Sequence, residues 1–244
     1  MQILRITFNK IISIPVYGLL YIFTALMILF GLPFVYLRSR NIVRFLMRFW
    51  ARTIFRICGK KLHVRGKENI RKDLHYVLVA NHSSLFDIVA IVSVIPDIAW
   101  FGHERLLRIP VFRRVLILTD YIPMRKANIK NTRLMVDKLI EKSKTSNIAI
   151  FPEGTRSLDG KINDFYRGFI LLLRATEGID ILPVTLNGFY SFKPKSRYWI
   201  DFGSRLDVII HEPISRDSLI HKNDREIAAT VKSVLESGSN NKTA

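Results

Sequence analysis

Residues 76–87 read YVLVANHSSLFD. The apolar, β-branched run Tyr76–Ala80 is a strand by length and composition, and the serines that follow are the residue type that caps a helix. The spacing predicts that helix over Ser84–Ile95. Outward from this unit the same alternation recurs. Further strands are expected at Lys61–Val64, Ile98–Phe101, Tyr121–Pro123, Asn147–Phe151, Ile181–Leu186, Tyr198–Phe202 and Leu206–His211. Further helices are expected at Arg105–Leu118, Asn128–Lys144, Asp164–Glu177 and Asp224–Ser237. Strands alternating with helices predict an α/β fold: three layers, with a largely parallel mixed sheet flanked by helices. The two closely spaced strands of Tyr198–His211 suggest a locally antiparallel edge.

The chain has 244 residues, 49% apolar and 24% charged, enough to bury a core and too apolar to be disordered. Cys58 is the single cysteine, which excludes a disulfide framework and a cysteine-rich zinc site and fits a reducing compartment. Lys and Arg number 38 against 20 Asp and Glu, a net charge of +18 with a pI near 10.3. Such an excess points to polyanions. A mean hydropathy of +0.17 beside that charge favours an anionic membrane surface over nucleic acid.

The apolar excess is concentrated at the start. Residues 11–37, IISIPVYGLLYIFTALMILFGLPFVYL, contain no charge and are long enough to cross a bilayer. Pro15, Gly18, Gly31 and Pro33 would permit a kinked or re-entrant path. Arg5 and Lys10 precede the run and Arg38, Arg40 and Arg44 follow it. The positive-inside rule wants both flanks on one side, which a shallow hairpin or monotopic insertion satisfies, with a single span still open. In residues 41–59, NIVRFLMRFWARTIFRICG, Arg44, Arg48, Arg52 and Arg56 join Arg40 on one helical side. Val43, Leu46, Trp50, Ile54 and Ile57 take the other. An interfacial helix is expected. The organisation expected is a membrane-anchoring segment over 1–58, an α/β domain over 59–236 and a flexible tail over 237–244.

Several familiar chemistries are missing. The chain has no G-x-G-x-x-G, no G-x-x-x-x-G-K-S/T, no H-E-x-x-H and no G-x-S-x-G. His63, His75, His82, His103, His211 and His221 show no metal-ligand spacing. No metal or cofactor is expected. Two polar turns do stand at strand ends, where ligands bind in open α/β sheets. In Asn81–Asp87 a histidine in the turn can fold back onto Asp87, giving a base with a carboxylate behind it. A loop histidine beside a helix cap fits those residues too. In Phe151–Ser157, FPEGTRS, Gly154 permits a tight turn and Arg156 offers a fork suited to phosphate. That stretch also reads as an ordinary polar turn.

Taken together, N-H-S-S-L-F-D and F-P-E-G-T-R-S resemble the first and third signature blocks of the glycerolipid acyltransferase family. Its nearest members are the 1-acylglycerol-3-phosphate (lysophosphatidic acid) acyltransferases. Tyr121–Arg125 resembles the second block and Leu182–Gly188 the fourth. Phe165-Tyr166-Arg167-Gly168 resembles a basic F-x-K/R-G segment. The likeness runs from about residue 60 to 215, with the blocks in order. In the second block the family's usual glycine and acidic residue are missing, and Asp120 and Met124 occupy that region, so the acceptor is the open point.

The resemblance implies transfer of a fatty acyl chain from acyl-CoA or acyl-carrier protein, as co-substrate, to the sn-2 hydroxyl of lysophosphatidic acid. The product is phosphatidic acid, for phospholipid biosynthesis. His82 would remove the hydroxyl proton and Asp87 would hold the imidazole. Arg125, Glu153, Gly154, Thr155, Arg156 and Arg167 would hold the acceptor, with Glu153 fixing Arg156. Backbone amides near Phe151–Thr155 would stabilise the oxyanion, and Ser83 and Ser84 would be caps rather than nucleophiles. The partners implied are an anionic bilayer, lysophosphatidic acid and the acyl donor, with no nucleic acid. The expected location is the cytoplasmic face of a membrane. Rivals are an acyltransferase for another lysolipid (a lysophospholipid or lyso-ornithine lipid) and a non-enzymatic basic membrane-binding protein. Retention of both His82 and Asp87 counts against the last.

Overall fold

Runs of Val, Ile and Leu that carry no polar alternation must be covered on both faces, and parallel sheets between helices provide that cover. A computed structural model describes residues 2–71, 73–95, 97–108, 110–124, 129–176, 178–219 and 221–239. In chain order the helices and strands are α1 (Gln2–Tyr36), α2 (Arg40–Ile57), β1 (Leu62–Arg65), β2 (Val77–Ala80), α3 (Phe86–Val94), β3 (Ile98–His103) and α4 (Pro110–Leu118). Then follow β4 (Ile122–Met124), α5 (Ile129–Ser143), β5 (Asn147–Ile150), α6 (Arg167–Ala175), β6 (Ile181–Asn187), α7 (Phe189–Phe192), β7 (Leu206–Ile210) and α8 (Asp224–Ser237).

The strands form one sheet in the order β1-β7-β6-β2-β5-β3-β4, parallel except between β6 and β7. Every residue of β2, β5 and β6 is buried. Alternate side chains serve opposite layers. Leu78, Ala80, Ala149 and Leu182 pack with α2, α3 and α7, whereas Val77, Val79, Ile148 and Ile150 pack with α5, α6 and α8. This is the expected three-layer α/β sandwich.

Two local expectations are corrected. Tyr198–Phe202 forms no strand, because its polar groups are spent on α1. The Tyr17 hydroxyl donates to the Tyr198 carbonyl at 2.6 Å, Ile200 N donates to Ser13 Oγ at 2.8 Å, and Arg5 and Asn9 reach the Asp201 carboxylate. The antiparallel pairing therefore lies inside the sheet, at β6–β7, with β1 outside it. The helix expected over Arg105–Leu118 is divided into a 3₁₀ turn, Glu104–Arg108, and α4, which begins at Pro110. Proline lacks the N–H that would continue the preceding helix and restricts the residue before it.

The N-terminal helices are part of the body. Ala51, Ile54, Phe55 and Cys58 belong to the same core as β2 and α3. α1 is one continuous helix through Pro15 and Pro33, so no hairpin divides it. It is long and apolar enough to cross a bilayer. Yet it touches the α/β body near both ends, through Arg5–Asp201 and through Arg114, whose guanidinium lies 4.5 Å from the Tyr36 ring centroid. Those contacts are about 46 Å apart at ~1.5 Å per residue. The helix lies along the body, and its outward side exposes Ile3, Phe8, Ile11, Ile22, Leu26 and Phe30.

The arginine side of α2 is likewise partly a seam. Arg44 pairs with Asp97 and Asp120 at 3.1 Å each, and Arg52 Nε donates to the Ser93 carbonyl. Arg40 and Lys142 also reach Asp120, at 3.3 and 3.4 Å. α2 exposes Arg40 and Asn41, then Ile42, Phe45 and Phe49, and then Arg52 and Arg56. Asp120 is only 5% exposed, so its carboxylate is the hub of this seam. Hydrogen bonds to charged groups contribute about 1.5–3 kcal/mol, less where the cation reaches water. Asp120→Asn should lower unfolding stability by about 1–2 kcal/mol, and Lys142→Met by under about 0.5 kcal/mol, as thermal melts in detergent would read. Equal effects would show that Asp120 is not the hub.

Candidate active site

β2 delivers His82 to the carboxyl edge of the sheet, and the next turn swings the chain into α3. Asp87 lies in the first turn of α3 and is fully buried. One of its oxygens, Oδ2, accepts from Ser83 N at 2.6 Å and from Ser84 N at 2.7 Å. The same oxygen lies 2.9 Å from His82 Nδ1. An oxygen that already accepts two amide hydrogens is an acceptor for the third contact, so Nδ1 carries the proton. Nε2 is then left with its lone pair for a ligand. The imidazole stacks on Phe151, with centroids 4.0 Å apart and planes 13° apart, and Phe151 stacks in turn on Trp100. The ring is held on one edge and one face.

The cap differs from the one read in the sequence. Asp87 satisfies the amides of Ser83 and Ser84 itself. Ser84 Oγ accepts a long 3.3 Å bond from Phe86 N and donates to the Lys193 carbonyl at 2.7 Å. That donated proton leaves the Ser84 hydroxyl badly placed to be a nucleophile. Cys58 is no better, since burial pushes its thiol up to about 12.

Phe151–Ser157 turns back over this unit. Gly154 has φ +65°, in the left-handed region that glycine enters without a Cβ clash. Glu153 is buried, and its carboxylate spans the two turns. Oε1 accepts from His82 N at 2.7 Å and Oε2 from Asn163 N at 2.8 Å. Burial raises its pKa above the usual carboxylate range, opposed by those same two amide bonds. Ser157 N adds a bond to the His82 carbonyl at 2.8 Å. With both oxygens so placed, Glu153 does not fix Arg156; it fixes the backbone of His82. The Gly154 amide is also spoken for, by the Phe151 carbonyl at 3.1 Å, and so is unavailable as an oxyanion donor.

Thr155 is exposed and Arg156 half-buried on the outer side of this turn. Arg167 is the first residue of α6, and Arg125 lies outside the described residues. One cation that sequence reasoning missed stands close by. Lys193 follows α7, and its carbonyl is the acceptor for Ser84. Burial, then the guanidinium groups of Arg156 and Arg197, hold its pKa below the usual lysine range. Tyr190, three residues earlier, donates to the Leu158 carbonyl and ties this loop to the Arg156 turn. No signal in a single sequence joins residue 193 to residue 156; only the crossing of two loops does so.

Beside His82 opens an apolar cavity of about 270 Å³, bounded by Trp50, Trp100, Leu116, Tyr121, Phe151 and Tyr166, with Gly154 and Met124 at its wall. The site thus joins an oriented imidazole and an apolar slot, and the turn that carries Arg156 leaves the cavity wall at Gly154. Among the described residues no group of histidine, cysteine and carboxylate side chains could hold a metal ion.

Comparison with known proteins gives the family. A family model described as Acyltransferase matches residues 61–187. The chain is 28% identical over 197 residues to the chloroplastic 1-acyl-sn-glycerol-3-phosphate acyltransferase LPAT1 of Arabidopsis thaliana, covering 79% of this chain and 55% of that protein. It is 34% identical over 157 residues to a 1-acyl-sn-glycerol-3-phosphate acyltransferase of Borreliella burgdorferi, covering 64% and 61%. The chain therefore spans little more than half the length of these curated relatives. The crystal structure of the 1-acyl-sn-glycerophosphate (LPA) acyltransferase PlsC from Thermotoga maritima superposes with a TM-score of 0.80 at 28% identity, covering 94% of this chain and 95% of that one. The family match spans β2, α3 and the turn after β5, the elements that assemble the His82 centre, and the chain belongs to the acyltransferase family.

Proposed function

We propose that the chain transfers a fatty acyl group from a thioester, acyl-CoA or acyl-carrier protein, to the sn-2 hydroxyl of 1-acylglycerol-3-phosphate. The observation that carries this reading is the 2.9 Å contact of His82 with a carboxylate oxygen pinned by two amides, beside an apolar cavity and a cationic turn. His82 Nε2 takes the hydroxyl proton as the acceptor oxygen forms its bond to the thioester carbonyl carbon. The carbon–sulfur bond then breaks, and the departing thiolate takes the proton back from the imidazolium. Asp87 stabilises that imidazolium without itself being protonated. The apolar cavity takes acyl chain. Arg156 and Lys193, with Thr155 beside them, hold the acceptor phosphate, whose charge offsets their mutual repulsion. Arg125 and Arg167 are further candidates for that role. The names of the relatives support lysophosphatidic acid as acceptor over other lysolipids.

The reading places the protein on one leaflet, at the cytoplasmic face. Contacts of α1 with the body at Arg5 and at Tyr36 support an in-plane helix over a span. Both basic flanks then lie on one side, as the charge rule requires.

The test is transfer from labelled oleoyl-CoA to a panel of lysolipids by purified protein in detergent. Lysophosphatidic acid should be the preferred acceptor; exclusive use of a lysolipid without a phosphomonoester would overturn the assignment. His82→Ala should lose about 10²–10⁴-fold in turnover, the usual contribution of a positioned base, with an unchanged melting temperature. Near-normal turnover would remove His82 from the mechanism. Glu153→Gln, which cannot accept at both ends, should lower kcat and the melting temperature while leaving KM for the thioester unchanged. A normal kcat would show that the His82 backbone needs no such brace. Arg156→Lys and Lys193→Gln should each raise KM for lysophosphatidic acid about 10-fold or more, given ~1.5–3 kcal/mol for a charged hydrogen bond, with little change for acyl-CoA. An effect on the thioester alone would place the phosphate elsewhere.

A further inference from the structure

α4 has two working faces. Val115 and Leu116 line the cavity beside His82, whereas Arg114 and Ile117 line a separate groove of about 570 Å³ with Tyr36, Arg38 and Arg40. This second groove lies where α1 turns into α2, and its charge is unbalanced. Arg40 reaches Asp120, but the same carboxylate also serves Arg44 and Lys142. Among the described residues Arg38 and Arg114 have no carboxylate partner; Arg114 rests on the Tyr36 ring.

Arg38 also stands where another residue would be easier. The α1 C-terminus closes with Ser39 N donating to the Phe34 carbonyl and Arg38 N to the Val35 carbonyl. That pair of bonds puts residue 38 in the left-handed region, at φ +54°. Glycine is the usual occupant of this position. An arginine there accepts backbone strain to keep a guanidinium at the groove. Around it Tyr36, Leu37 and Ile117 are all more than half exposed, continuous with the apolar outer side of α1. Cations facing a groove with an apolar flank complement an anion that carries hydrocarbon.

We propose that this groove binds the phosphate of an anionic diacyl phospholipid, with Arg38 and Arg114 as its ligands. Arg40 is shared between the lipid and Asp120, and the tails run along Tyr36, Leu37 and Ile117. The site is separate from the His82 centre, and it rests on the in-plane membrane reading given above. Since α4 forms a wall of both grooves, an occupied lipid site braces the cavity from behind.

The probe is dioctanoyl-phosphatidylglycerol, which lacks the phosphomonoester of acceptor and product, titrated into the full chain in neutral detergent and followed by calorimetry. Dioctanoyl-phosphatidylcholine and inorganic phosphate are the comparison ligands. Saturable binding of the anionic lipid is expected, tighter than either. Arg38→Gln/Arg114→Gln should weaken it about 30-fold, the size of two basic side chains at an anionic surface. Lys10→Gln/Arg65→Gln, which removes equal charge elsewhere, should change it under about 3-fold, as should Arg156→Lys. Arg38→Gly should weaken binding while raising the melting temperature, a split that a purely structural arginine would not give. Equal loss in the Lys10/Arg65 variant would reduce the site to general surface charge. Loss in Arg156→Lys would assign the binding to the catalytic centre. Inorganic phosphate binding as tightly as the lipid would mark a free-anion site. Each of these three overturns the proposal. Flotation with vesicles separately tests the in-plane reading, because the detergent titration needs no bilayer.

Discussion

A carboxylate with no solvent exposure, at the start of a helix, has to find its donors within the protein, and Asp87 finds three on one oxygen. A buried charge left unpaired costs several kcal/mol, so the amides of Ser83 and Ser84 cannot turn elsewhere. Their direction fixes the path of the chain between β2 and α3. That path in turn leaves His82 with one place to put its ring, against the same oxygen and flat on Phe151. The helix N-terminus adds a favourable field for the negative charge. Orientation of the ring thus follows from satisfying Asp87 Oδ2, whereas Oδ1 is buried with no hydrogen-bond partner among the described residues. Glu153 repeats the device across the cleft, fixing the backbone on which His82 sits.

Much of this was legible in residues 76–87 and 147–157. Apolar runs ending in polar turns identify strand ends, and strand ends are where an α/β sheet binds ligands. The His82–Asp87 pair could be read because both partners lie within one turn of chain. Glu153 was assigned to the wrong partner for the converse reason. Its neighbour in sequence is Arg156, but its partners in space, His82 and Asn163, are brought to it by the sheet and by the next loop. Lys193 was invisible on the same ground. Tyr198–Phe202 has the composition of a strand, but its backbone partners belong to a helix nearly two hundred residues earlier in the chain, beyond the reach of any local pattern. Arginines spaced along α2 showed a basic side but not that part of it is a seam, because Asp97 and Asp120 come from other elements.

That seam bears on function through the cavity. Trp50 lies on α2 and lines the apolar slot beside His82, and its indole N–H donates to Thr24 of α1 at 3.1 Å. α1 therefore contacts a wall of the cavity beside His82 directly. Any displacement of the helix pair from the body would be felt by the slot. For the acyl transfer proposed above, this proximity would let a lipid tail pass between bilayer and cavity without crossing water.

The polar contacts of α1 also resolve a problem that hydrophobicity alone leaves open. A helix that is apolar on all sides has no preferred face towards either protein or lipid, because both surroundings accept it. Directional bonds choose for it. Arg5 and Asn9 at Asp201, Ser13 at Ile200, Tyr17 at Tyr198 and Thr24 at Trp50 fall successively along the helix and mark its inward side. Each is modest in energy, about 0.5–1.5 kcal/mol, but each fails completely if the helix rotates by a quarter turn. Rotation is what must be prevented. On the in-plane reading proposed above, the outward side would set the depth and tilt of the protein in the leaflet, and with them the height of the mouth of the His82 cavity. The polar residues within an otherwise apolar helix thus fix which side of α1 faces the body that carries His82.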